Sequence, residues 1–256
     1  MISISSDQLI LWLTSFIWPL TRILGLIAVA PIFGSATIPV RIKISLGAML
    51  ALLVAPTLQN TPLIDPVSIP GILILVEQFV IGIAMGFTIQ LIFTCVDLAG
   101  NLISMAMGLG FASYFDVETR GNTPVVGQFL TLVTTLLFLS LNLHLDVLAT
   151  LADSFTHLPI ATDLSKQTSI WLRIANTGSL IFSSGVQLAL PVITALLIAN
   201  VALGILTRTA PQLNLFGIGF PITLAVGFLM LYIVMPYLAA PLQKILELGV
   251  QQSALR

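Results

Sequence analysis

Charge is scarce in this chain. Lys and Arg number 9 and Asp and Glu number 10 among 256 residues, 7% together, where a soluble domain carries roughly 25%. Water is therefore not the solvent for most of its surface, and the chain reads as an integral membrane protein. A formal net charge of -1 is too small to draw nucleic acid or an acidic lipid surface as a partner. Cysteine is almost missing as well. Cys95 stands alone, so no intrachain disulfide and no Cys-based metal cluster can form. Within "FTCVDL" it reads as a small apolar filler of a helix. The catalytic motifs are missing too: no HExxH, no carboxylates paired at catalytic spacing and no phosphate-cradling glycine loop. An enzyme is not expected, and no cofactor is implied. What remains is apolar: 57% of residues are hydrophobic and the mean hydropathy is +1.10.

The first segment, "MISISSDQLILWLTSFIWPL", lacks the basic start of a signal peptide and has Asp7 in its place. "AVA" at Ala28 to Ala30 resembles a cleavage site, but Pro31 follows at once and the apolar run is too long. A retained first helix is expected, with Ser5 and Gln8 at capping-box spacing. Crossing about 30 Å of hydrocarbon takes roughly 20 mainly apolar residues. The runs that qualify or approach this are Leu9 to Ala30, Ile42 to Leu58, Ile69 to Val96, Leu98 to Phe115, Val125 to Leu145, Ile174 to Thr207 and Leu215 to Gln243. No strand alternation competes with them, which predicts an all-α, multi-helix membrane fold.

Two of these runs are too long for a simple bundle. Neither Ile174 to Thr207 nor Thr209 to Gln243 holds a charged residue, and each as a straight helix would reach roughly 50 Å. Three explanations stand: breaks at Pro191, Pro211, Pro221 and Pro236, strong tilt, or burial against other proteins. Orientation is poorly specified. Arg41 and Lys43 place the first loop in the cytoplasm, but Asp146, Asp153 and Asp163 oppose Lys166 and Arg173 in a later one. Four prolines between Pro56 and Pro70 form a stiff linker. The connector from His157 to Arg173 suggests a boundary near residue 165, between a larger N-terminal helical part and a C-terminal hairpin.

Several residues are candidates for function. Arg22, Glu77 and Asp97 lie in or beside apolar runs, where an ionisable group costs roughly 2.5–3.5 kcal/mol and is functional by default. They fit either coupling sites of a transporter or burial at a subunit interface. His144 with Asp146, and Asp153 with His157, are weaker candidates, since polar groups also mark where a helix leaves the apolar layer. Gly82 and Gly86 form GxxxG in "IGIAMGF", with Gly100 further along, and small residues let helices approach closely. In "RTAPQLNLFGIGFP", Arg208 and Pro211 stop one helix, Gln212 and Asn214 supply polar caps, and Gly217, Gly219 and Pro221 interrupt the next. "MGLGFASYFDVETRGNTP" sets Gly108, Gly110 and Gly121 around Asp116, Glu118 and Arg120. Irregular backbone at membrane depth is tolerated only where protein or a water-filled cavity covers it. Both stretches suit a discontinuous-helix transporter or a pore assembly.

The segments "APIFGSATIPVRIKISLGAML", "IGIAMGF", "AGNLISMAMGLGFA", "FLSLNLHLDVLATLADSFTHLP" and "ALPVITALLIANVALGILTRTAPQLNLFGIGFPITL" resemble, in order and over nearly the whole chain, the FliR family of the flagellar type III export apparatus. Injectisomes carry a related member of the SctT/YscT type. The resemblance implies a FliP-like part at 1-165 joined to a FliQ-like long hairpin at 166-256. It implies an export gate built with FliP and FliQ around a conduit for unfolded flagellar proteins, with FlhB at the cytoplasmic mouth and FlhA nearby. It also implies a place in the bacterial inner membrane and basal body, raised toward the periplasm.

The family's plug loop aligns with 107-123 here. Met105, Met107 and Phe111 would supply a deformable apolar seal, with Leu109 also in the loop, Gly108, Gly110 and Gly121 giving it freedom, and Asp116, Glu118 and Arg120 suited to a wet lumen. Val117 stands where many relatives have Pro after the Asp, which implies a looser turn. The alternatives are a stand-alone secondary transporter using Arg22, Glu77 and Asp97, an injectisome homologue, and a membrane hydrolase using the His/Asp pairs.

Overall fold

The structure, a computed structural model, describes residues 6–58, 62–109, 124–160, 168–210 and 219–254. Among them the chain forms helices α1 (Ser6–Val29), α2 (Val40–Val54), α3 (Ile69–Ala106), α4 (Val125–Ser140), α5 (Leu143–His157), α6 (Thr168–Thr209) and α7 (Phe220–Ser253), with a short 3-10 turn at Ala55–Thr57. No strand occurs among the described residues, in agreement with the all-α expectation. Five helices are long and apolar enough to cross a membrane, or six if the bent pair α4–α5 counts as one span.

The helices depart from the apolar runs in instructive ways. Ile69 to Val96 and Leu98 to Phe115, separate runs in the sequence, join into the 38-residue α3 through Asp97. Asp97 does not stop the helix because Asn101, one turn on, donates its Nδ2 to Asp97 Oδ2 at 3.3 Å. The run Val125 to Leu145 instead divides: α4 and α5 meet at 67°, where Asn142 takes a left-handed φ of 58° that Asn tolerates better than most residues. Of the four candidate breaks, Pro191 and Pro236 do not interrupt their helices, Pro221 stands in the first turn of α7, and Pro211 lies outside the described residues. Pro191 lies inside α6, and Pro236 and Pro241 inside α7. At 42 and 34 residues, these helices reach roughly 63 and 51 Å.

The chain divides into two compact units that do not follow sequence halves. The first takes Met1–Leu91, Asn142–Thr177 and Glu247–Arg256; the second takes Ile92–Leu141 and Gly178–Leu246. The boundary expected near residue 165 lies outside the described residues.

In the first unit, α1 and α3 meet through backbone. A Cβ on Gly25 would lie 2.6 Å from the Phe79 carbonyl oxygen, one on Gly86 2.8 Å from that of Leu26, and one on Gly82 would strike the Arg22 carbonyl. Only glycine allows so close an approach, and it is the device by which apolar helices associate where lipid offers no hydrophobic drive. The second unit packs Cys95, Ala99, Ile103 and Met107, at four-residue spacing, against Leu188, Val192 and Leu196 of α6 and Leu231, Val234 and Leu238 of α7. There α3 and α4 also touch through glycine, Gly100 against the backbone of Gly127.

Candidate functional site

Arg22 is the one charged side chain among the fully buried residues described. Its guanidinium lies within the first unit and ties α1 to groups from two other helices, α3 and α5. Nε donates to Gln78 Oε1 at 2.8 Å, Nη1 to Ser154 Oγ at 3.0 Å, and Nη2 to the Leu158 carbonyl at 2.8 Å. The Phe155 ring lies against it, 4.2 Å from centroid to guanidinium carbon, a cation–π distance. Ser154 Oγ in turn donates a hydrogen bond to the Leu151 carbonyl at 2.7 Å. Because guanidinium only donates, the Gln78 amide must turn its oxygen toward Arg22.

Local sequence explains how the acceptors come to be there. Pro159 follows Leu158, and a residue before proline is pushed out of the α region. Leu158 accordingly has φ -123° and ψ 76°, which ends α5. The end of a helix carries partial negative charge, so it suits a cation. Glu77, beside Gln78 on α3, adds its field. Removing one hydrogen-bond acceptor from such a buried cation costs about 1.5–3 kcal/mol.

Of the other two charges proposed from sequence, Glu77 acts on this cluster through its field, whereas Asp97 lies elsewhere. Glu77 is half-buried in α3 of the first unit, and Asp97 is half-buried in the second, on the helix turn of Asn101. Sequence reasoning named Arg22 and missed Gln78, Ser154, Phe155 and Leu158. The polar Gln78 within an apolar run, next to Glu77, was the available signal.

The start of the central loop is the second place of interest. Met105 is 70% exposed at the end of α3, whereas Met107 is fully buried in the core of the second unit. Met107 lies against Gly227 of α7, and its carbonyl accepts from Thr223 Oγ1 at 3.3 Å. Gly108 turns the chain with a φ of +82°, a conformation that costs glycine little. Leu109 is half-buried and donates its N–H to the Ser104 carbonyl at 3.0 Å. Gly110, Phe111, Asp116, Glu118, Arg120 and Gly121 lie outside the described residues, as do Pro211, Gln212, Asn214 and Gly217. Of the second irregular stretch, Arg208 and Pro221 are exposed and Gly219 is buried just before α7.

The His/Asp pairs sit on α5. Asp146, Asp153 and His157 are exposed, and His144 is half-buried with its Nδ1 unpartnered. Asp146, Asp153 and Glu247 line a groove of about 470 Å³ in the first unit, but no group of three or more metal-binding side chains occurs among the described residues.

The most extensive feature is apolar. Leu197, Ile198, Val201, Ile205 and Leu206 on α6, and Phe228, Leu229, Tyr232, Ile233 and Tyr237 on α7, are all exposed. Scattered exposed apolar residues are ordinary, but continuous faces of this size mark contact with membrane or protein.

Comparison with known proteins agrees with this all-helical, apolar architecture. Residues 13–249 match the family "Bacterial export proteins, family 1". The chain is 44% identical over 238 residues to the flagellar biosynthetic protein FliR of Pectobacterium carotovorum subsp. carotovorum, covering 92% of this chain and 90% of that one. To FliR of Escherichia coli (strain K12) it is 42% identical, over 93% and 91% of the two chains. To FliR of Bacillus subtilis (strain 168) it is 26% identical over 93% and 92%. Near full-length similarity, membrane-length helices and a composition poor in charge point one way: the chain belongs to the FliR family of bacterial export proteins.

Proposed function

We propose that this chain is a non-enzymatic, channel-forming subunit of the bacterial flagellar type III export gate. It assembles with FliP and FliQ around a conduit for unfolded flagellar proteins, with FlhB at the cytoplasmic mouth and FlhA nearby. The assembly sits in the inner membrane, raised toward the periplasm. The observation that carries this reading is the reach of the uncovered faces. From Leu172 to Leu206, exposed large apolar residues recur along α6, a distance of roughly 50 Å against about 30 Å of hydrocarbon. Lipid tails cannot cover that length in a helix standing upright, whereas neighbouring apolar helices can. The transporter reading needs Arg22 for coupling, and Arg22 is already engaged by Gln78, Ser154 and Leu158.

Residues 107–123 serve in this reading as the plug of the closed conduit. The test is in two steps. Purified in mild detergent, the chain should come out in a large complex with FliP and FliQ; a stable, active monomer would refute the gate. Deleting Gly110 to Asn122 should then leave the complex assembled and make the membrane leaky to ions. Unchanged conductance with an intact complex would count against the plug.

A further inference from the structure

The Arg22 cluster has more donors than acceptors. Gln78 Nε2 and Trp18 Nε1, one helical turn from Arg22 on α1, are both buried without a partner, and each residue is fully enclosed. An unmet buried donor costs stability, and so does the desolvation of a guanidinium. Apolar side chains of similar size would fill the same space at lower cost. A network that gives up stability is explained by what its geometry specifies.

That geometry is three-way. One planar fork reaches α3 at Gln78, α5 at Ser154, and the carbonyl of Leu158 just past the end of α5. Apolar packing tolerates a helix sliding or rotating by a fraction of a turn; three hydrogen bonds from one rigid group do not. Leu158 is also the residue from which the chain leaves α5 toward the connector before α6. We propose that Arg22 is a positioning residue, which fixes where α5 ends relative to α1 and α3 and so where that connector begins. The proposal concerns the first unit itself and goes beyond the export reading.

Leu158 gives the test, because its side chain is 3% exposed while only its backbone carbonyl binds Arg22. In a Cys95→Ala background, Leu158→Cys is titrated with a membrane-impermeant maleimide in detergent-solubilised full chain. The thiol should be protected when Arg22 is present. Two variants then remove the fork: Arg22→Lys, which keeps the charge, and the apolar triple Arg22→Met, Gln78→Leu, Ser154→Ala.

The triple should accumulate normally and melt no lower than the parent, yet label at least tenfold faster, as should Arg22→Lys. Labelling as slow as in the parent, in either accumulated variant, would overturn the proposal. So would failure of both variants to accumulate, since the network would then be a stabilising one only. The readout lies on this chain, so the result stands whatever secretion assays say of the gate.

Discussion

Helices α1 and α6 are both long apolar rods, and the contrast between them is the main lesson of this fold. In an apolar 18-residue window of Ile10–Val29 on α1, 44% of residues are buried in the chain, against 22% in such a window of Ala175–Thr209 on α6, although the latter is the more apolar. The difference lies in small residues and polar anchors. α1 meets α3 through Gly25, Gly82 and Gly86 and is pinned by Arg22. On α6, Gly185 makes one close approach, a Cβ there lying 2.9 Å from the Cys95 carbonyl oxygen, but one added at Gly178 or Gly204 would meet nothing within 4 Å. Hydrophobicity alone does not select a partner where the surroundings are equally apolar. Close backbone contact and directional hydrogen bonds do, and α1 has both.

Glycine substitutions break this contrast most sharply. Gly82→Leu drives a side chain into the Arg22 carbonyl, which is backbone and cannot step aside, so the cost is expected at the upper end of overpacking, about 3 kcal/mol. The expected result is loss of accumulated protein in the membrane, read by immunoblot, and with it loss of copurification. Gly204→Ala on α6 should do the reverse within the chain, gaining about 1 kcal/mol of helix propensity. Normal accumulation of Gly82→Leu would mean that α1 and α3 are not held by this crossing.

An intermediate effect is expected on the uncovered face. Val201 is 63% exposed, so Val201→Glu should leave the chain's own fold unchanged by circular dichroism and thermal melting. If partner helices cover α6, the same substitution should lower recovery of FliP and FliQ by at least tenfold. Recovery equal to the parent would mean that this face meets lipid headgroups or water, and the contrast with α1 would then be one of solvent and not of partners.

Much of this was legible in the sequence. Scarcity of charge gave the membrane class, the apolar runs gave most of the helices, and the spacing of Gly82 and Gly86 suggested close helix approach without deciding between a helix of this chain and one of a partner. The joining of α3 across Asp97 was not legible, because it depends on whether Asn101 satisfies the carboxylate. The continuity of α6 through Pro191 was not legible either, since tertiary packing can carry a helix past one lost hydrogen bond. The partners of Arg22 were hidden by distance. They lie 56, 132 and 136 residues away, where no local pattern reaches. The 67° bend between α4 and α5 left one trace, Asn142, a residue suited to left-handed backbone.

That trace leads to the smallest effect, at the end of the pinned helix. Ile32, just after α1, has a φ of 71°, which a β-branched residue resists at roughly 1–2 kcal/mol. It is held there by neighbours: Gly34 N–H donates to the Ala30 carbonyl at 2.8 Å, and Lys43 Nζ closes on the Gly34 carbonyl at 2.9 Å. Strain of this kind persists only where the surroundings over-determine the backbone, which fits a turn bound to the better-packed end of the chain. Asn142 adopts nearly the same backbone, φ 58°, without that penalty. Exchanging the two residue types separates strain from packing. Asn142→Ile should lower thermal stability by about 1–2 kcal/mol, and Ile32→Asn should raise it by no more than about 1 kcal/mol after the loss of a half-buried side chain. If Ile32→Asn is as damaging as Asn142→Ile, apolar contact rather than backbone conformation governs the turn, and the end of α1 is held by packing alone.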